Sequence, residues 1–300
     1  MYEICCPVTC LIFSPLLHAA HISSYGAVCD GVTDDISAFN NAAADIQSGA
    51  ISSLTLEGNC SLSQPWVITG DHHYGNVVIH GPGVTLNNTV VVNGSGISIK
   101  GLSVTNSPSH GFVFLRGQGA SHDLLTATSN NGHGFYFGID NGLYGKNSQI
   151  SNVLFSMLSA INNSGDGFQW DGNANANRSW LNANTFIHPI ARGNSGNSWR
   201  SVAGSGPNGD SRISYNTIIS AQFEVNGGIA DFGLTSATTF VGGHFVDRNA
   251  ANESVVLGRI NYSFGGRYVG DVVNKADNIM LSNTSAAGEG ARLHYLPHQD

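Results

Sequence analysis

Short strands in which apolar and polar residues alternate recur along most of this chain. The clearest series starts at His110-Gly-Phe-Val-Phe, and its inward third position returns after 23, 33, 31, 30 and 26 residues. The residues at that position are Phe112, Phe135, Phe168, Trp199, Ile229 and Val255. A repeat of about 20–50 residues with one alternating strand per unit is typical of a solenoid. We therefore predict that these residues stack inward on successive windings of one parallel sheet.

A second series of strands predicts another side of the same windings. It reads Asn184-Thr-Phe-Ile, Asn216-Thr-Ile-Ile and Thr239-Phe-Val, and its units close at Asn194, Asn226 and Asn249. An α/β fold would need a helix between successive strands, and those helical patterns are missing. The sequence therefore predicts an all-β chain of stacked windings.

One helix is predicted, near the start of the chain. Thr33, Asp34 and Asp35 are good residues for a helix N-terminus, because their oxygens accept hydrogen bonds from unpaired amides. The residues that follow at helical spacing on one face are Ile36, Phe39, Ala43 and Ile46, and Gly49 supplies the end.

Composition excludes several other classes of protein. Charged residues make up only 11% of the chain, which is too few for the solvated faces of many amphipathic helices. Hydrophobic residues make up 41%, which argues against wholesale disorder. With a net charge of −8 and 12 Lys and Arg residues, the chain offers no basic surface for nucleic acid. No apolar run approaches the ~18 residues of a membrane span.

The N-terminal residues and the cysteines leave alternatives open. Residues 1–20 contain a short apolar run but no Lys or Arg before it, so an N-terminal arm is favoured over a secretory signal. Of the five cysteines, Cys29 and Cys60 flank the predicted helix and first strand and could pair, although free buried thiols are favoured. No cysteine has partners at zinc-type spacing, so no metal site is expected.

The segment Tyr25-Gly-Ala-Val-Cys-Asp-Gly-Val-Thr-Asp-Asp resembles the opening of the pectate-lyase-like superfamily. The likeness is to the branch of rhamnogalacturonases, epimerases and phage tailspike depolymerases. It implies a short N-terminal capping helix on a right-handed, single-stranded parallel β-helix. The implied division is an arm at 1–22, the cap and first strand at 23–60, the β-helix at 61–274 and a tail at 275–300. The tailspike likeness also implies a homotrimer and an extracellular or virion-associated location.

Registering the strands predicts a groove on the outer face of the windings. The residues expected to point outward there are Val113, Tyr136, Gln169, Arg200 and Ala230, followed two residues later by Leu115, Gly138, Asp171, Val202 and Phe232. Surplus residues follow three of these strands, at Gly138–Asn147, Gly172–Ala183 and Val202–Arg212. Long loops in a compact fold are usually functional or disordered, and we expect these, with Arg178 and Trp180, to wall the groove.

Two pairs of acids are candidate catalytic groups. Asp166 and Asp171 lie beside the predicted wall and are the first choice, although each also suits a turn. Glu224 and Asp247, counted back from the closing Asn residues, are the second choice, because like charges on adjacent windings raise one pKa. Arg192 falls at the same place one winding earlier, where a plain ion pair with Glu224 is an equal alternative.

The function predicted from these features is cleavage of an extracellular or capsular polysaccharide, without a cofactor. Polygalacturonases carry an Asn-Thr-Asp motif that this chain lacks, so their catalytic acids cannot be carried over. Hydrolysis, which needs two carboxylates, is narrowly favoured over β-elimination because Lys is scarce. A non-catalytic carbohydrate-binding spike is the alternative of another class. The predicted substrate-binding residues are His133, Tyr136, Gln169, Arg178, Trp180, Arg192 and Arg200.

Overall fold

The computed structural model describes residues 18–72, 77–138, 149–172, 180–202 and 213–247, and beyond these the strands between 253 and 295. The first part holds β1 (Ala19–His21), a 3-10 turn (Ile22–Tyr25), β2 (Asp30–Asp34), helix α1 (Ile36–Ser48), β3 (Ser53–Thr55) and β4 (Asn59–Ser61). Next come β5 (Trp66–Asp71), β6 (Val77–Leu86), β7 (Val90–Ser95), β8 (Ile97–Thr105), β9 (Phe112–Gln118), β10 (Ser121–Asp123) and β11 (Thr126–Thr128).

The middle of the chain is a regular series of short strands. They are β12 (Phe135–Gly138), β13 (Gln149–Ser151), β14 (Leu154–Ser156), β15 (Ser159–Ile161), β16 (Phe168–Asp171), β17 (Trp180–Asn182), β18 (Thr185–Ile187), β19 (Ile190–Arg192), β20 (Asn197–Val202), β21 (Ile213–Ser214), β22 (Thr217–Ile219) and β23 (Gln222–Glu224). The last are β24 (Gly228–Ser236), β25 (Thr239–Val241), β26 (His244–Phe245), β27 (Glu253–Arg259), β28 (Tyr262–Phe264), β29 (Arg267–Tyr268), β30 (Asp271–Asn274), β31 (Ile279–Leu281), β32 (Ser285–Ala286) and β33 (Leu293–Tyr295).

The strands pair in parallel from one winding to the next and form two curled sheets. Strands β12, β13, β14 and β15 pair with β16, β17, β18 and β19 in the same order. These pair in turn with β20, β21, β22 and β23. The all-β prediction with parallel strands is confirmed, and α1 is the only α-helix among the described residues. No described helix has the length and hydropathy that crossing a membrane requires.

The core is a stack of aromatic rings inside the windings. Phe112, Phe135, Phe168 and Trp199 are in register on β9, β12, β16 and β20, and each is fully buried. Their successive ring centroids lie 5.3, 5.1 and 4.7 Å apart, and adjacent rings are nearly parallel. The predicted inward register is therefore confirmed for these four windings.

Helix α1 covers the first winding, as the sequence predicts. Phe39 is fully buried and meets the Trp66 ring edge-on at 4.8 Å, and the Trp66 indole N–H donates to the Phe39 carbonyl at 3.0 Å. The Asp35 carboxylate accepts the amides of Val28 and Cys29, which holds the chain entering the helix.

Cys29 and Cys60 form a disulfide, so the favoured expectation of free thiols is wrong. The strand β2 that follows Cys29 pairs in parallel with β4, and this pairing brings the two sulfurs together. Asp35 lies close to both, but the bonded sulfurs and the two amides on its carboxylate leave no set of free metal ligands.

A ladder of asparagines, continued by Asp247, joins the windings at one turn. Each member after the first accepts hydrogen bonds from the backbone amide and side-chain amide of the member one winding earlier, at 2.7 to 3.1 Å. The series is Asn130, Asn163, Asn194, Asn226 and Asp247. The predicted ladder positions at Asn194 and Asn226 are thus present. At the next winding Asp247 accepts both hydrogen bonds from Asn226 and so takes the ladder position expected for Asn249, which itself lies outside the described residues.

Candidate functional site

The outward side chains of β9, β12, β16 and β20 form one row across adjacent strands. Val113 is in register with Tyr136, Tyr136 with Gln169, and Gln169 with Arg200, as predicted. On the following strand, Arg200 is in register with Asp231, so the prediction that Ala230 continues this outward row is wrong. Asn197 pairs with Gly228, one residue later than the predicted alignment.

That one-residue offset changes the facing of the whole strand β24. Ala230 pairs with Trp199 and lies in the core, as does Phe232, which had been expected to point outward. Ile229, expected inside, instead packs against Val256 in a separate cluster. The remaining part of the second outward row, Gly138 with Asp171 and Val202, is as predicted.

A cleft of about 390 Å³ follows this row along the stacking direction. It crosses the windings that carry β5, β7, β9, β12 and β16, which at ~4.8 Å per strand is roughly 20 Å. Its lining residues are Pro65, Thr89, Val91, Ser109, His110, Val113, His133, Tyr136, Gln169 and Asp171. The expected groove residues His133, Tyr136, Gln169 and Asp171 therefore meet in one cleft.

A hydrogen bond joins Tyr136 and Asp171, which lie on adjacent windings. The Tyr136 hydroxyl donates to Asp171 Oδ2 at 3.0 Å. Gly138, which is in register with Asp171, permits this approach: its φ is +146°, and a Cβ there would lie 2.2 Å from the Asp171 carbonyl oxygen. A side chain at 138 would therefore push Asp171 away, so glycine is required for the pair to form.

Two stacked histidines form part of the cleft wall. The His110 and His133 rings lie 4.9 Å apart and nearly parallel, and the Tyr136 ring stacks on His110 at 5.2 Å. His110 Nδ1 accepts the His133 amide at 3.0 Å, and His133 Nδ1 accepts the Asp166 amide at 2.8 Å. Because both Nδ1 atoms act as acceptors, each neutral ring carries its proton on Nε2 and can donate there. Burial, with Arg200 nearby, lowers the pKa of His133 to about 4.

Asp166 lies at the turn, next in the series after His110 and His133. Its side chain is 4% exposed and accepts the Asn197 amide on Oδ1 at 2.7 Å. Burial raises the pKa of this carboxyl. Asp166 Oδ2 lies 3.4 Å from His133 Nδ1, but that nitrogen already accepts an amide proton, so the contact is not an ion pair. Asp166 does not line the cleft that holds Asp171.

The second pair of acids lies away from this cleft, with Glu224 on the other sheet and Asp247 in a turn. Glu224 is in register with Arg192 on adjacent strands, as predicted, and accepts from Gln222 Nε2 at 2.8 Å. Asp247 does not occupy the equivalent place on the next winding: it lies at the asparagine ladder, 6% exposed. Burial raises the pKa of Asp247, and the charge of Glu224 contributes. The expected equivalence of the two acids is wrong because one residue, Val246, separates Phe245 from the ladder, whereas the previous winding has two residues between Phe223 and Asn226.

The predicted loop wall lies largely outside the described residues, and so does Arg178. Trp180 is not in a loop as expected, because it begins strand β17 and pairs with Gln149. Its side chain is 47% exposed, and it does not line the cleft.

Sequence reasoning missed the part of the cleft formed by earlier windings. His110 starts the same His-Gly-Phe pattern as His133, which was a usable signal for a shared wall. Val91 gave no such signal, because it lies in the run Val90-Val91-Val92, where inward and outward positions look alike.

Comparisons with known proteins identify the fold. No protein-family model and no curated protein sequence matches the chain. The A-module of mannuronan C-5 epimerase AlgE4 from Azotobacter vinelandii is similar in structure, with a TM-score of 0.50 and 12% identity, over 93% of this chain and 100% of that chain. The AlgE6 A-module of the same organism has a TM-score of 0.49 and 14% identity over 93% and 100%.

A tailspike protein of Acinetobacter baumannii phage AM24 is also similar, with a TM-score of 0.49 and 13% identity. The likeness covers 92% of this chain and 50% of the tailspike chain. At such identities a structural likeness shows the fold and leaves the activity open. This chain therefore shares the fold of the AlgE4 A-module, in line with the fold that the pectate-lyase-like resemblance of its opening segment implies.

Proposed function

We propose that this chain is a polysaccharide lyase that cleaves a uronate-containing glycan by β-elimination in the cleft. The observation that carries the proposal is the hydrogen bond from the Tyr136 hydroxyl to Asp171 Oδ2, at 3.0 Å, between two cleft-lining residues. This pair provides a proton donor and a proton acceptor at one place, which is what elimination across adjacent carbons requires.

The proposed step uses both members of the pair. The Asp171 carboxylate takes the proton from C5 of the uronate, and the electrons of that C–H bond form the C4–C5 double bond. The bond from C4 to the glycosidic oxygen breaks, and the Tyr136 hydroxyl gives its proton to that oxygen. The proton on Asp171 then returns to the Tyr136 phenolate through the hydrogen bond that joins them. No water is consumed, and one product end is unsaturated.

The histidine pair supports binding of the uronate carboxylate. The C5 proton is acidic enough to remove only if the charge of that carboxylate is stabilised. His110 and His133 each present an Nε2–H donor, and their rings lie 4.9 Å apart on the cleft wall. Gln169 is in register with Tyr136, and Arg200 with Gln169, so an amide and a guanidinium follow along the same row.

Hydrolysis is the second candidate, and one observation favours it. Burial raises the pKa of Asp166, as a general acid requires. A two-carboxylate mechanism also needs both carboxyl groups beside the scissile glycosidic bond, within about 10 Å of each other. Of the four predicted acids, Asp171 alone lines this cleft, whereas Asp166 is buried in the turn, Glu224 is on the other sheet and Asp247 is at the asparagine ladder. For this reason elimination is preferred here.

The test is an assay of the protein on a panel of uronate and neutral polysaccharides, with polymannuronate included. Two signals are followed: new reducing ends and the ultraviolet absorbance of unsaturated uronates. We expect both signals from a uronate polymer. Reducing ends alone would replace the proposal with hydrolysis, and binding without either signal would make the chain a carbohydrate-binding protein.

Matched variants locate the activity. Tyr136→Phe and Asp171→Asn should each lower the rate by about 10²-fold or more, because each removes one proton-transfer group. Tyr215→Phe and Asp123→Asn are the controls, since Tyr215 is 69% exposed and Asp123 lies on the other sheet. If full activity survives in Tyr136→Phe and Asp171→Asn, the cleft is not the catalytic site.

We also propose that the windings close into one right-handed single-stranded β-helix. Right-handed connections between parallel strands are strongly preferred, which supports this handedness. The Cys29–Cys60 disulfide supports an oxidising, extracellular location. The homotrimer implied by the tailspike resemblance is a separate prediction, which sedimentation equilibrium would test.

A further inference from the structure

A second row of outward side chains lies on the sheet that carries the cleft. In order along the stack, its members are Asn93, Arg116, Gln149 and Trp180, on β7, β9, β13 and β17. The next residues on β13 and β17, Ile150 and Leu181, point into the core, so the side chains of Gln149 and Trp180 point away from it. These four residues are named the Trp180 row, and none of them lines the cleft.

Trp180 supplies a flat apolar surface. Its side chain is 47% exposed, whereas the other three tryptophans of the chain are buried, namely Trp66, Trp170 and Trp199. The face of an indole ring packs well against the C–H groups on one face of a sugar ring, and its rigid shape loses little entropy on binding. An exposed tryptophan on a regular strand is therefore a suitable platform for a sugar.

Planar polar groups follow the indole along the row. Gln149 is exposed, and one N–H of its amide donates to Ser151 Oγ at 3.2 Å. The amide also offers a second N–H and an oxygen, which suit a sugar hydroxyl. Arg116 lies opposite Gln149, because the residues that follow them, Gly117 and Ile150, are in register.

The charge of Arg116 is balanced by Asp71. The two side chains form an ion pair and are 39% and 40% exposed. The guanidinium retains further N–H groups and the carboxylate further lone pairs, so the pair can both donate and accept. Sugar hydroxyls do the same, whereas a uronate carboxylate would meet the negative charge of Asp71. The row is therefore suited to the rings and hydroxyls of a glycan and not to its carboxylates.

We infer that the Trp180 row is a second glycan-binding site, which holds an uncharged stretch of a polysaccharide strand outside the cleft. At ~4.8 Å per strand, Trp180 and Arg116 are roughly 10 Å apart along the stack, so a disaccharide unit can contact both. The inference does not depend on elimination in the cleft, because it rests on a different set of side chains. In a protein that also acts on glycans, a second site keeps the polymer attached between catalytic events.

Tryptophan fluorescence tests this site directly, because Trp180 is the exposed one of the four tryptophans. Acrylamide quenches exposed indoles, and a bound oligosaccharide should shield Trp180 from it. The probes are oligosaccharides of β-mannan, β-galactan, polymannuronate and polygalacturonate, each titrated into the Tyr136→Phe protein so that the cleft does not cleave them. We expect saturable shielding by at least one neutral probe, with little dependence on salt. Absence of shielding by both neutral probes overturns the inference, and so does shielding by uronate probes alone.

Variants along the row separate it from the cleft. Gln149→Ala and Arg116→Gln should each weaken the affinity measured by shielding several-fold, because each removes hydrogen bonds to the sugar. Gln47→Ala is the matched control, since Gln47 is exposed on α1. Gln169→Ala, a change in the cleft, should also leave the shielding unchanged. Shielding that stays the same in both row variants, or that is lost in Gln169→Ala, would assign the bound polymer to the cleft and overturn the inference.

Discussion

The backbone amide of Asp166 donates a hydrogen bond to Nδ1 of His133 at 2.8 Å, one winding away. The same relationship links the amide of His133 to Nδ1 of His110 at 3.0 Å. A ring nitrogen that accepts a hydrogen bond from a backbone amide cannot carry a proton of its own. The turn itself therefore selects the tautomer of both rings. The fold thus fixes both of these cleft-lining rings in the tautomer that carries its proton on Nε2.

We predict that His133 stays neutral, with Nδ1 unprotonated, until the pH falls to its lowered pKa of about 4, because burial and Arg200 disfavour its cation. Nitrogen NMR of the labelled protein should show this tautomer, and a chain unfolded in urea should titrate near the ordinary value of 6.5. Since the folded pKa is lowered, the free energy of unfolding should fall as the pH drops from 6.5 toward 4. Protonation of His133 near pH 6.5 in the folded protein would contradict the assignment.

The buried His122 should make the fold sensitive to acid. It is 1% exposed between the rings of Phe114 and Phe155, and burial lowers its pKa to about 3. The unfolded chain takes up this proton below pH 6.5, whereas the folded chain does not. The free energy of unfolding of the wild type should therefore fall, relative to that of His122→Leu, by about 2 kcal/mol as the pH is lowered from 7 to 5. Urea unfolding at the two pH values measures this difference. His80→Leu, at an exposed position, is the control and should show no such difference.

Truncation of the aromatic stack should be costly. Phe168→Ala should lower the free energy of unfolding by about 3–5 kcal/mol, because the cavity lies between Phe135 and Trp199 and cannot collapse. Trp180→Ala removes a larger ring that is 47% exposed and should cost much less. Denaturant unfolding of the two variants makes the comparison, and equal losses would refute the inward register.

Replacing Asp247, the last member of the asparagine ladder among the described residues, should stabilise the protein at neutral pH. Burial raises the pKa of Asp247, so the folded state favours its protonated form and loses stability as the pH rises through that raised pKa. Asp247→Asn removes the charge, and its Oδ1 can accept both Asn226 donors, as Asn226 Oδ1 does for Asn194. We expect a gain of about 1 kcal/mol at pH 7, shrinking in acid.

Asp123→Asn, outside the ladder, is the control for that comparison. A loss of stability at pH 7 in Asp247→Asn would show that the carboxylate is needed at this turn.

The strand register could be predicted wherever large inward side chains marked it. Phe112, Phe135, Phe168 and Trp199 leave one facing for their strands, because a shift of one residue would expose the whole series. At Gly227-Gly228-Ile229 no large residue fixed the facing, and the prediction there was off by one residue.

The cleft was only partly predictable for a related reason. Alternation of inward and outward positions predicted that Tyr136, Gln169 and Asp171 point outward. It did not predict which side chains they contact. The Tyr136–Asp171 hydrogen bond depends on the close approach at Gly138, and the role of Asp166 depends on which amide its carboxylate meets across the turn. Such contacts form between windings about 30 residues apart, and local patterns do not specify them.

The asparagine ladder limits how the molecule can be lengthened. An Asn at this turn accepts from the winding before it and donates to the winding after it, so a copied winding inserted between Asn163 and Asn194 would continue the series. A carboxylate accepts but has no side-chain N–H to pass on, so a copy of the winding that carries Asp247 would interrupt this series of side-chain hydrogen bonds. Engineered repeats of this protein should therefore be duplicated from the windings that carry Asn163 and Asn194.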